Sequence, residues 1–209
     1  MNKLFTGFGK KNQMKSPSRE PIIVVSGLPR SGTSMMMKIL AEGGLSIVTD
    51  ELRSADADNP NGYFELETVK QMSVGNIDWL AAAGGKVVKV ISALLEYLPS
   101  NYSYKVIFME REIKEILASQ HKMLARRGET SQVEDAEMEQ QFRKHVSVVK
   151  PWLARQPNME VLYVSYNSLM ADPEPNCRRV IEFIHMPLDL HRMLAVPSGE
   201  LYRNRANSG

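Results

Sequence analysis

Short apolar runs rich in β-branched residues alternate along the chain with stretches whose apolar positions recur at helical spacing. The runs are IIVV at 22–25, LSIV at 45–48, KVVKVI at 86–91, KVIFMER at 105–111 and VLYVSY at 161–166. Largely continuous apolar character suits strands buried on both faces of a parallel sheet. Between them, Thr33–Glu42 is built of helix formers and stops at Gly43 and Gly44. Leu94, Leu95 and Leu98 mark a short helical stretch ended by Pro99. On 112–127, Ile113, Ile116, Leu117, Met123 and Leu124 form one apolar face, and Gly128 stops the helix. Phe142, Val146, Val149, Trp152 and Leu153 follow an acidic, polar segment and predict an amphipathic helix interrupted by Pro151. Asp172 and Pro173 then supply an N-cap and a first-turn proline for a helix whose stripe is Cys177, Val180, Ile181 and Ile184. The interleaving predicts an α/β fold in three layers, a mainly parallel five-stranded sheet flanked by helices.

The junction between the first strand and the first helix carries the candidate chemistry. Residues 26–32 make a tight turn in which Gly27 and Gly32 tolerate angles closed to other residues and Pro29 fixes the chain between them. A strand, a glycine-bounded turn and a helix N-terminus aim unpaired N–H groups and a helix dipole at one point, which suits a phosphate or sulfate. A nucleotide-hydrolysing P-loop would place lysine before its Ser/Thr, whereas this turn reads GLPRSGTS, with Thr33 at the lysine position. The cation has moved to Arg30, and no obvious second aspartate stands at the end of an apolar strand for a magnesium ion. That favours a grip on one phosphoryl-like group by Arg30, the loop amides and the Thr33 and Ser34 hydroxyls over triphosphate chemistry. The alternative is that the glycines only turn the chain.

Length and charge narrow the picture. The chain has 209 residues, 43% of them hydrophobic, enough for one well-buried domain. Lys+Arg 26 against Asp+Glu 24 leaves a net charge of +2 and no global argument for a nucleic-acid partner. A single cysteine, Cys177, excludes an internal disulfide framework, fits a reducing, cytoplasmic setting, and falls on an apolar stripe as a core thiol would. No window is apolar enough for a membrane span. Residues 1–19 read as a flexible basic tail and 20–209 as the domain. His121, His145, His185 and His191 have no metal-ligand spacing, so no metal is expected. Residues 53–67, RSADADNPNGYFELE, are polar and turn-rich, a length that more often marks a functional loop than a passive connection. Lys89 interrupts the third run near the carboxyl end that faces a ligand crevice in such sheets, with a solvated edge lysine as the other reading.

Pro29-Arg30-Ser31-Gly32-Thr33-Ser34 resembles the 5′-phosphosulfate loop of the sulfotransferase family, Pro-(Lys/Arg)-(Ser/Cys)-Gly-Thr-(Thr/Ser). The resemblance implies a P-loop-like α/β fold and 3′-phosphoadenosine 5′-phosphosulfate (PAPS) as sulfuryl donor, with adenosine 3′,5′-bisphosphate (PAP) as product. It extends from about Pro21 to Arg205. Family members bind the 3′-phosphate through an arginine at a strand end and a serine eight residues later, which Arg111 and Ser119 match in spacing and context. The stretch VLYVSYNSLMADPEPNCRRVIEFI resembles a further family segment, with Asn167 replacing its usual acidic residue and Tyr166 where an adenine contact is implied. Arg203 and Arg205 resemble late basic residues that close over the nucleotide. Gly62-Tyr63-Phe64-Glu65 resembles a stretch of bacterial sulfotransferase-like proteins, although Tyr63 and Phe64 could equally pack the loop down.

The activity implied is sulfuryl transfer to a hydroxyl or amine of a small-molecule or glycan acceptor. Cytosolic members use a histidine base placed between the loop and the 3′-phosphate arginine, and no histidine lies between Arg30 and Arg111. Other branches use glutamate, which makes Glu65 the candidate base and Glu67 its nearest competitor. Arg30, Glu65 and Lys89 are thus the candidate catalytic residues. A small-molecule kinase with an aberrant P-loop and a non-catalytic nucleotide-binding module are the alternative readings.

Overall fold

A computed structural model of the chain describes residues 20–50 and 64–197. Within them, Ile22–Gly27 (β1), Val87–Lys89 (β2), Tyr104–Glu110 (β3) and Met159–Ser165 (β4) form one sheet in the order β2-β1-β3-β4. Every pairing is parallel, with Val24 beside Val88 on one side and Val106 on the other. Four strands replace the five expected. Residues 45–48 pair with β2 at a single bridge, Ile47 to Val87, held by Val87 N–H to Ser46 O and Val48 N–H to Val87 O. Beyond it the backbone N–H of Asp50 donates to Glu65 O at 3.3 Å, so the chain leaves the sheet before a ladder can form.

The helices are Thr33–Glu42 (α1), Ile113–Arg126 (α2), Asp135–Leu153 (α3), Tyr166–Ala171 (α4), Pro173–Ile184 (α5) and Leu190–Leu194 (α6). Three 3₁₀ segments, Glu67–Val74, Asp78–Ala82 and Ser92–Tyr97, fill the connections around β2. Successive strand residues point to opposite faces, so Ile23, Val25 and Ile107 meet Met36, Leu40, Val180 and Met193 of α1, α5 and α6. Ile22, Val24, Val106 and Phe108 meet Leu80, Leu95, Val149 and Leu153 on the other side. Cys177 belongs to the first of these clusters, and burial pushes its thiol pKa up to about 11, as suits a packing residue.

Three local expectations change. Pro151 lies within α3 instead of interrupting it, and the helix runs on to Leu153. Tyr166 does not close the last strand: Ser165 caps α4 by accepting from the Ser168 N–H at 3.2 Å, and Tyr166 is the first helical residue. Asp172 stands at the N-cap position of α5 with Pro173 following, but its side chain makes no capping bond. Instead Asn176 Nδ2 donates to the Asp172 carbonyl at 2.9 Å.

The chain leaves β1 toward β2 on one side and later returns as β3 on the other. The carboxyl ends of β1 and β3 therefore flank the crevice where such sheets bind ligands.

Candidate active site

The loop after β1 is shaped by positions that other side chains would block. Gly27 has φ 145°, and a Cβ there would fall 2.6 Å from the Met109 carbonyl oxygen of the neighbouring strand. Ser31 N–H donates to Leu28 O at 3.2 Å, closing the turn over exposed Pro29, and Arg30 takes a left-handed φ of 67°. Gly32 caps α1 with φ 98° and supplies no side chain to its first-turn amides. Those N–H groups, the helix dipole, and Thr33 and Ser34 in the first turn make an anion cradle. Ser31 Oγ is buried in this loop without a hydrogen-bond partner in the protein, a polar atom that an oxyanion would satisfy.

Gly32 also sets a distance. A Cβ there would lie 2.4 Å from Tyr166 Cδ2, so the loop rests on the ring that begins α4. Gly32→Ala should lose about 2 kcal/mol of stability or more, from left-handed strain and the clash together. A thermal or denaturant melt checks this, and a variant as stable as the parent would mean that the loop does not rest on Tyr166 as described.

Arg111, one residue beyond β3, is nearly buried, with 6% of its side chain exposed. Its Nε donates to Glu115 Oε2 at 3.0 Å, its Nη1 donates to the Arg30 carbonyl at 3.2 Å, and its guanidinium lies 4.1 Å from the Tyr166 ring centroid. Ser119 lies in the second turn of α2, and Arg30 Nε donates to its Oγ at 3.0 Å. The pair expected at the 3′-phosphate and the arginine expected at the 5′-phosphosulfate thus form one connected cluster. Arg30 reaches α2, its Nη1 standing 4.0 Å from Met123 Sδ. The lysine on β2 reaches the loop helix instead: Lys89 Nζ donates to Ser34 Oγ at 3.2 Å and pairs with Glu65 Oε1 at 3.5 Å. With 10% of its side chain exposed, Lys89 faces the crevice and is no solvated edge residue.

Glu65 is held from its backbone. Its carbonyl accepts from Thr49 Oγ1 at 2.9 Å, while Lys70 Nζ stands 3.8 Å from its other carboxylate oxygen. Phe64, at a left-handed φ of 48°, packs against the cluster that α1 contributes to. Glu67 is turned outward, its carboxylate bonded to Lys70 at 2.8 Å. Tyr166 is buried, with the Arg111 guanidinium over its ring and the Gly32 backbone against its edge. Tyr63, Arg203 and Arg205 lie outside the described residues, as does the 1–19 tail.

Sequence reasoning gave three side chains no role here. Glu115 and Asn167 stand behind Arg111, with Asn167 Nδ2 donating to Glu115 Oε1 at 2.9 Å. Glu115 carried a signal, an acid four residues after an arginine at a helix start. His145 of α3 meets Ser92 Oγ at 2.9 Å, three residues past Lys89, a contact across 53 residues that no motif announces. Among the described residues, no group of three or more His, Cys, Asp or Glu is placed to hold a metal, and no helix is long and apolar enough to cross a membrane.

The family model described as "Sulfotransferase domain" matches residues 20–204. Among solved structures, the fold is similar to a mouse sulfotransferase complexed with PAP, with a TM-score of 0.59 and 14% identity over 94% of this chain and 72% of that one. A sulfotransferase from Mycobacterium tuberculosis gives 0.55 at 14% identity, covering 87% and 72% of the two chains. The sulfotransferase domain from the curacin biosynthetic pathway gives 0.51 at 16%, covering 86% and 78%. At these identities the likeness is one of fold. A comparison with curated proteins finds no match.

Proposed function

Because this chain belongs to the sulfotransferase family, a transferase family, we propose that it moves a sulfuryl group from PAPS to a hydroxyl or amine of a small-molecule or glycan acceptor. The observation that carries this reading is the connected pair of anion sites. The uncapped start of α1, with its unsatisfied Ser31 hydroxyl, is joined through Arg30 to the Arg111–Ser119 cluster at the end of β3. A nucleotide bearing phosphate at both 5′ and 3′ positions has the charge pattern that two such sites accept.

The loop amides, Ser31, Thr33 and Ser34 would hold the 5′ end of the donor, and Arg111 with Ser119 the 3′-phosphate. The bound donor supplies a sulfuryl group whose transfer leaves negative charge on a bridging oxygen. Arg30 and Lys89 are the cations that flank the loop, and preorganised charge of that kind is worth most where the transition state is more polar than the ground state. Glu65, paired with Lys89, would take the acceptor proton. The one cysteine, free and buried, supports assignment to a reducing compartment such as the cytoplasm.

Transfer of labelled sulfuryl from PAPS to a panel of alcohols and amines, without added magnesium, tests the activity. In the same assay Arg30→Ala should lower turnover by about 10² while weakening PAP binding far less. Equal losses in binding and turnover would make Arg30 a binding residue only. Magnesium-dependent ATP turnover in place of sulfuryl transfer would overturn the reading.

A further inference from the structure

Glu65 is gripped at both its backbone and its carboxylate from one edge of the sheet. The bridge between Ile47 and Val87 sets the two chains parallel, and two positions further along each come Thr49 and Lys89. Thr49 Oγ1 donates to the Glu65 carbonyl at 2.9 Å, and the Asp50 N–H donates to the same oxygen at 3.3 Å. At the carboxylate, Lys89 Nζ stands 3.5 Å from Oε1 and Lys70 Nζ 3.8 Å from Oε2. The contacts to the lysines are longer than the one to Thr49, so the hold on the backbone sets where the carboxylate lies. Asp50 adds a second hold two residues on. Leu66 brings no side-chain cap to the 3₁₀ segment Glu67–Val74, and Asp50 Oδ2 accepts from the Glu67 N–H at 2.5 Å in its place. Closing a loop would need only these backbone holds; here they also bring a carboxylate to Lys89, which touches Ser34 of the cradle helix.

We infer that Thr49 and Asp50 are positioning residues that hold the Glu65 carboxylate beside Lys89 and Ser34, where it takes the acceptor proton. The inference rests on the assignment of Glu65 as the base. Thr49→Val keeps the shape of the side chain and removes its hydroxyl, whereas Thr49→Ser keeps the hydroxyl. Asp50→Ala removes the acceptor for the Glu67 N–H, and Asp50→Asn retains one. None of these exchanges alters the loop amides, Arg30, Arg111 or Ser119, so they separate the placing of the base from the binding of the nucleotide.

Steady-state transfer from PAPS to an alcohol or amine that the parent sulfates, with PAP calorimetry alongside, reads the result on the full chain. Thr49→Val should lower kcat about tenfold, with KM for PAPS and PAP affinity unchanged, and Thr49→Ser should recover most of the loss. Added to Glu65→Gln, Thr49→Val should cost nothing further, because the group it positions is already gone. A role in packing alone predicts otherwise: kcat and PAP affinity falling together, no recovery with serine, or the same loss from Thr49→Val with and without Glu65. Any of these, or a Thr49→Val variant with the parent's kcat, overturns the inference and leaves sulfuryl transfer standing. Near-parent turnover of Glu65→Gln overturns it together with the base assignment, and a parent that transfers to no acceptor overturns the activity as well. Should Thr49→Val fail to fold, Asp50→Ala against Asp50→Asn decides: loss in alanine and recovery in asparagine, both absent without Glu65, support the hold, and equal turnover of the two overturns it.

Discussion

Arg111→Ala should lose about 2–3 kcal/mol of PAP affinity, the range for hydrogen bonds to charged groups, and leave 5′-AMP affinity nearly unchanged. The selectivity follows from position: Arg111 stands just past the end of β3 and is linked to Ser119 of α2 through Arg30. The structure adds a second consequence. Removing the guanidinium leaves the Glu115 carboxylate buried without its cation, and breaking a buried pair in this way costs about 3–5 kcal/mol of folding stability. Binding therefore has to be measured well below the variant's melting temperature. Arg111→Lys separates the effects, since it keeps the charge but lacks the fork that spans Glu115 and the Arg30 carbonyl. Lysine should retain more stability than alanine and still bind PAP less well than the parent. Equal affinity of the parent for PAP and 5′-AMP would remove the 3′-phosphate from this site, and with it the main support for PAPS.

What the sequence showed and what it hid divide along physical lines. The loop was legible because its chemistry is local: a buried strand, two glycines and a helix start are adjacent in the chain, and they dictate the cradle wherever the domain places it. Arg111 and Ser119 were legible for the same reason, one just past the end of β3 and the other in the second turn of α2. Arg30 pointing to Ser119 was not legible, because it depends on how α2 packs back toward a loop 89 residues away in sequence. Lys89 needed the fold to choose between its two readings, since the pattern places it at a strand end but the crevice is built by Ser34 and Glu65 from other elements. The fifth strand failed because 45–48 has strand composition but only one register position against β2 before the backbone turns toward Glu65. The start of α4 was readable in retrospect, from a serine cap at Ser165 three residues ahead of the N–H it accepts from. Apolar continuity through VLYVSY outweighed that signal, although Tyr166 packs as the first residue of a helix.

Glu65→Gln should leave nucleotide affinity intact and cut turnover by about 10²–10⁴, the usual worth of a general base. The reason is geometric. Glu65 is fixed at its carbonyl by Thr49 and Asp50, its carboxylate faces Lys89, and Lys89 in turn touches Ser34 in the first turn of the cradle helix. An acceptor hydroxyl lying over that turn would meet a carboxylate and an ammonium held side by side. Glu67, the competitor from the same loop, turns outward and is bonded to Lys70, so Glu67→Gln should have little effect. Lys89→Met should reduce turnover as well, because it removes both a cation at the loop and the group that orients Glu65. His145 supplies the discriminating control. Its ring meets Ser92 Oγ just beyond the carboxyl end of β2, on the face of the sheet opposite α1. If Glu65→Gln keeps near-normal turnover while His145→Gln does not, the base stands on α3 and Glu65 serves only to hold Lys89. If Glu65→Gln alone is inactive, and its PAP affinity is unchanged, the carboxylate beside the loop is the proton acceptor.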